Sequence, residues 1–285
     1  MLKFCISLSS LLCSSLVFSG SMGDVADTSK GTAFVGLGGA YNSIQVKQDL
    51  YAIGVASYAG ALSGVGIAQG PAAPFYGTTS VFSPEIQTGW YKNFTNSNRL
   101  WGLKFSYQYL GAAITHTEFT ALQLGTIDGK TLVGNLLIGS AQTIVNHELL
   151  LLPFIGHSFK KSQLYLGVGP ALFGTRSNIN SATGFANLSG SPSDITGIPA
   201  NFTDSAWVWG GAAQAGFSYF PAPEWSIDVT YTYAISGQYD TNVSEPFTHS
   251  MTSPSVTVTG TGYINTNQNI MAQALTLTIN KLFSI

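Results

Sequence analysis

Trp101-Gly102-Leu103-Lys104-Phe105-Ser106-Tyr107-Gln108-Tyr109 decides the architecture. Every odd position holds a large apolar or aromatic side chain, and every even position a small or polar one. A period of two sends the two sets to opposite faces of a β-strand. The same alternation recurs along the chain. Residues 32–41 set Ala33, Val35, Leu37 and Tyr41 against Gly36, Gly38 and Ala40; residues 81–92 set Phe82, Ile86 and Trp90 against Glu85, Gln87 and Gly89. Residues 145–159 are apolar on both faces around Leu149–Leu152, which leaves their register open. Residues 164–172, 205–220, 225–235 and 269–283 alternate again, bringing the count to eight.

Composition says which face is inside. Of 285 residues only 8% are charged, while 45% are hydrophobic, 12% aromatic and 32 are glycine. Soluble domains carry about 25% charge, so a water-facing sandwich is excluded. Disordered chains are charge-rich and aromatic-poor, and a net charge of −2 offers no basic footprint for nucleic acid. Prolines at Pro71 and Pro74 interrupt the longest charge-free stretch, so it is no spanning helix. A charge-poor chain without such helices can satisfy its backbone in lipid only by closing a barrel. The second face, made of Gly, Ala, Ser, Thr and Gln, suits the crowded lumen of a small one.

The N-terminus supports export. Lys3 begins a positive stretch, residues 5–18 are uncharged and mostly apolar, and Ser19, Gly20 and Ser21 are small. This pattern predicts a signal peptide over residues 1–19, with cleavage after Ser21 as the alternative, and a periplasmic tail over 20–31. Both cysteines, Cys5 and Cys13, fall inside it. The barrel domain is assigned to residues 32–285.

The connections sort by length. Residues 93–98, 160–162 and 221–224 are short, whereas the segments between strands one and two, three and four, five and six, and seven and eight are long. Outer-membrane barrels alternate short periplasmic turns with long extracellular loops in this way. Aromatics gather beside the short turns: Trp90 and Trp101, Phe159, Tyr219 and Trp225, with Phe283 at the end, as an interfacial girdle requires. Residues 51–58 or 255–263, read as further strands, would raise the count to ten.

A leader, eight alternating strands and a final Ala274-Leu275-Thr276-Leu277-Thr278-Ile279-Asn280-Lys281-Leu282-Phe283 resemble the small outer-membrane β-barrels of Gram-negative bacteria, the OmpA/OmpX/OmpW-like barrels. The resemblance implies an all-β, eight-stranded antiparallel up-and-down transmembrane barrel in the outer membrane, with four long extracellular loops. It also implies that Leu275, Leu277, Ile279 and Phe283 form the signal read by the barrel-assembly machinery. The chain departs from that family by ending Phe283-Ser284-Ile285 rather than on an aromatic. Ser21-Met22-Gly23 is similar to mature starts among outer-membrane proteins of Legionella-type bacteria.

The candidate chemistry lies in the lumen and the loops. Glu85, Gln87, Lys104, Gln108, Glu148 and Asp228 fall on the inward face and define a polar network. With the first turn centred near Thr95–Asn96, Lys104 stands opposite Gln87 and diagonal to Glu85. That arrangement reads either as an internal plug or as a salt-bridge gate. His147 and Glu148 are adjacent, so they point to opposite faces and cannot share a luminal catalytic site. No metal-ligand spacing, nucleophile elbow or phosphate loop occurs, so no cofactor and no enzymatic activity are expected. The expected partners are outer-membrane lipid, the assembly machinery and a host or surface ligand at the loops. A structural or surface-recognition role leads. A narrow channel or hydrophobic conduit, with apolar residues 52–68 as a lateral opening, is the alternative, and a lipid-modifying enzyme comes third.

Overall fold

The computed structural model describes residues 31–188, 192–252 and 255–285. The leader, most of the tail and Ser21-Met22-Gly23 lie outside the described residues. Eleven strands form: β1 (Thr32–Gly60), β2 (Gly64–Pro71), β3 (Phe75–Asn93), β4 (Arg99–Ile127), β5 (Lys130–Ser158), β6 (Ser162–Asn187), β7 (Pro192–Asp194), β8 (Ala200–Ala222), β9 (Trp225–Ser236), β10 (Tyr239–Thr252) and β11 (Ser255–Ser284). Eight of them close a ring in the order β1-β3-β4-β5-β6-β8-β9-β11, every neighbour antiparallel, with β11 returning to β1. The closing ladder runs without interruption from Thr32↔Ser284 to Gly60↔Val256. Closure leaves no stave with an open edge inside the bilayer, which is what lipid demands.

Residues 51–58 and 255–263 do not add staves. They are the upper parts of β1 and β11, paired with each other. The long connections are likewise built mostly of paired strand rather than irregular loop: β4 and β5 run on to a two-residue turn at Asp128-Gly129. Above the lower ring, β2 replaces β3 between β1 and β4, and β10 replaces β9 beside β11.

The wall has two zones. In the lower one, Val35, Leu37, Leu103, Phe105, Leu166, Val229, Leu277 and Ile279 face outward, while Ser106, Gln108, Thr278 and Asn280 are buried in the lumen. In the upper zone the alternation continues in register, and along β1 and β11 the polarity inverts, whereas Ile67, Leu122, Leu124 and Val133 on β2, β4 and β5 still face outward. Ile44, Val46, Leu50, Val256, Val258, Ile264 and Ile270 are buried, and Gln45, Lys47, Asp49, Thr259, Asn265 and Asn267 face out. From Trp101 to Tyr109 the wall rises roughly 20–25 Å, the height of an outer-membrane apolar band. From Tyr109 to Ile127 it rises roughly 40–45 Å more, into water.

Candidate functional site

The lumen is stacked in layers. At the periplasmic end Phe34, Tyr91, Leu100, Phe154, Tyr165, Phe220 and Leu282 form an apolar floor. Above it lies the polar layer, where Glu85, Gln87, Lys104, Gln108, Glu148 and Asp228 are all at most 5% exposed. Gln87 Nε2 donates to Thr278 Oγ1 (2.7 Å), Asn280 Oδ1 (2.5 Å) and Asp228 Oδ2 (3.3 Å). Gln108 Nε2 donates to Glu85 Oε2 (2.8 Å), and Asn42 Nδ2 donates to Gln108 Oε1 (3.0 Å). Ser226 Oγ donates to Asp228 Oδ1 at 3.2 Å. These bonds tie β1, β3, β4, β9 and β11 together across the barrel. Ile44, Val46, Leu110, Ile114, Leu150, Phe173 and Ile270 then close the lumen again.

The register differs from the sequence expectation by two residues. Gly89 stands opposite Lys104, and Gln87 opposite Ser106, because the first turn centres at Asn96–Ser97, with Asn96 in the left-handed region (φ 53°). Lys104 is therefore displaced from Glu85. Its Nζ reaches the Tyr165 hydroxyl at 3.5 Å and lies 5.8 Å from that ring's centre. Among the described residues the ion pairs are Lys47–Asp49 and Lys281–Glu224, and neither involves a luminal charge. The salt-bridge gate has no counterpart in this geometry. Both Glu148 oxygens lack a hydrogen-bond partner, as do Glu85 Oε1 and Gln87 Oε1.

At the periplasmic rim, Trp90 packs edge-on against Trp101 with ring centres 4.9 Å apart. Phe159, Tyr219, Trp225 and Phe283 are each more than a third exposed at the same end. Basic residues accompany them: Lys92, Arg99, Lys160, Lys161 and Lys281 against, among the described residues, the acid Glu224. Hydrogen bonding and charge from Lys281 hold the Glu224 carboxyl below its usual range. On the last strand Leu275, Leu277, Ile279 and Phe283 all face outward.

A second aromatic row, missed in the sequence, marks the upper limit of the band. Tyr41, Phe82, Tyr109, Trp207 and Trp209 are exposed there. His147 belongs to this row. Its Nδ1 lies 2.9 Å from the Tyr107 hydroxyl, and its ring packs at 5.5 Å on Tyr109 and 5.7 Å on Trp207. His147 thus sits on the outer wall while Glu148 is buried inside. His116 is sandwiched between Phe75 and Phe119, and no group of three acidic, histidine or cysteine ligands occurs among the described residues. Also missed was an outward row of amides and carboxylates high on the wall, at Asp49, Asn265, Asn267 and Asp240. Its one signal was asparagine at every second position, Asn265, Asn267 and Asn269.

A closed eight-stave barrel with an apolar band between two aromatic rows is an outer-membrane β-barrel. Solved structures to which the chain is similar are of that kind. Ail, the attachment invasion locus protein of Yersinia pestis, is 13% identical, covers 81% of this chain and 98% of its own, and gives a TM-score of 0.27. The outer membrane protein OprG from Pseudomonas aeruginosa is 12% identical over 90% of this chain and 98% of its own, with a TM-score of 0.37. The outer membrane protease OmpT from Escherichia coli is 10% identical over 93% and 100%, with a TM-score of 0.32. No family model and no curated relative matches.

Proposed function

We propose that this barrel is a non-enzymatic surface-recognition protein of the outer membrane, anchored by its lower zone and active through its upper one. The carrying observation is the upper zone, an ordered wall with its own apolar core that stands above the upper aromatic row and is polar on its outer face along β1 and β11, with exposed Ile67, Leu122, Leu124 and Val133 on β2, β4 and β5. A merely solvated cap does not need such a core, and rigid presentation is what a recognition surface needs. The lower polar network serves as an internal plug, and the outward apolar row of the last strand as the assembly signal. The test is a barrel shortened in register, with β1–β3, β4–β5, β6–β8 and β9–β11 rejoined just above the upper aromatic row. It should keep heat-modifiable gel mobility and lose binding of the parent cells to host cells and matrix. Retained binding would overturn the reading.

A conduit for apolar solutes is the second reading. The β3–β4 ladder stops at Glu85↔Gln108, and above it Phe75 meets His116 through side chains alone, with rings 4.6 Å apart. Uptake of an apolar solute that falls when this seam is crosslinked, with cell binding unchanged, would favour it.

A further inference from the structure

Where β3 leaves β1 and β2 takes its place, the upper wall carries a cleft of about 600 Å³. Its floor is two cross-strand rows on β1, β11 and β10. One row is Asp49, Asn267 and Asp240, and the next is Tyr51, Asn265 and Asn242. Pro71 and Pro74 line its edge. The row chemistry is already ordered. Asn267 Nδ2 donates to Asp240 Oδ1 at 2.7 Å, and Lys47 Nζ pairs with Asp49 at 3.5 Å while lying over the Tyr76 ring. The amides of Asn242 and Asn265 stand opposite one another without a bond between them, and Tyr51 is 37% exposed beside them.

We propose that this cleft binds an uncharged saccharide, deepening the surface-recognition reading on which it rests. The ligand class follows by elimination. Asp49, offset in part by Lys47, and Asp240, which has no cationic partner among the described residues, leave the floor net negative and disfavour a sulfated or phosphorylated ligand. An apolar ligand would strip water from two acids and three amides without replacing their hydrogen bonds. A simple cation would leave the amide N–H groups unused. A polyol fits all of them: its hydroxyls donate to Asp49 and Asp240, accept from Asn242 and Asn265, and its C–H face lies on the Tyr51 ring. The strand spacing of about 4.8 Å sets these groups at regular intervals along the floor, suited to alternate hydroxyls of one ring or to hydroxyls of adjoining rings.

The test uses the full protein refolded in a detergent that carries no sugar. Titration calorimetry is run with maltohexaose, cellohexaose and mannohexaose, and with sucrose octasulfate as the anionic control. At least one neutral hexaose should bind and the octasulfate should not. Asn242→Ala with Asn265→Ala should weaken that binding by about tenfold or more, Tyr51→Ala should do the same, and Tyr51→Phe should retain it. Heat-modifiable mobility reports that each variant is folded. Absence of binding by all three hexaoses, preferential binding of the octasulfate, or unchanged affinity in the folded double variant would overturn the cleft. Cell binding by the same variants separates this from the broader reading. If they bind host surfaces like the parent while the shortened barrel does not, the cleft fails and surface recognition stands; if the shortened barrel also binds, the broader reading fails.

Discussion

Gln87 and Glu148 sit in the same luminal layer with opposite consequences. The Gln87 amide bridges three acceptors on β9 and β11, so Gln87→Leu should cost about 1–3 kcal/mol, because buried acceptors lose their donor. Glu148 has no bond to lose. Glu148→Gln should leave stability within about 1 kcal/mol of the parent, since an isosteric amide replaces a buried carboxyl that makes no hydrogen bond. Urea refolding into lipid vesicles, followed by gel mobility, measures both. Equal losses in the two variants would show that the layer is one cooperative network including Glu148. All six polar luminal residues could be read from parity alone. Their partners could not, because a turn whose centre moves by one residue shifts each cross-strand pairing by two. The left-handed Asn96 that sets that centre is one of several polar residues in 93–98 able to do so.

Among the strands, the β4–β5 pair shows what holds the upper zone upright. Its two ladder-forming strands meet at Ile127↔Lys130, and both turn residues have positive φ, Asp128 at 47° and Gly129 at 79°. Such a two-residue turn matches the twist of the strands it joins. A Cβ on Gly129 would meet nothing within 4 Å, so the cost of Gly129→Ala is backbone strain alone, about 1 kcal/mol. Limited proteolysis should therefore cut faster at this tip while the lower barrel stays resistant; cleavage at the parent rate would show the turn is not what secures the hairpin. These upper strands were hidden in the sequence for a physical reason. Their parity continues from the lower wall, but along β1 and β11 the large apolar residues turn inward and the polar residues outward. Read by the rule for lipid-facing strands, residues such as 259–269 resemble a Ser/Thr/Asn-rich loop, although Val258, Ile264 and Ile270 are fully buried on the other side.

For the molecule as a whole, the lumen is shut twice, by the apolar floor around Phe34 and Phe220 and by the apolar layer around Ile44 and Phe173. The cavity between Lys104 and Asp228 is only about 20 Å³, close to the space of one water. Planar-bilayer recordings of the refolded protein should show no steady conductance. A stable single-channel step would mean that the two closures open together. The eight-stave ring was legible because lipid imposes a strict alternation on every spanning strand. The proposed ligand site was not, because the chemistry of the upper outer wall stands outside that constraint.

The inverted zone also bears on how the molecule is made. Its interior is built like that of a water-soluble protein, yet it stands on the far side of a bilayer that the chain crosses during assembly. Folded hairpins with Lys47, Asp49 and Asp240 on their outer surface would have to drag those charges through hydrocarbon. The ladders of the upper zone therefore close only once those charges are beyond the hydrocarbon.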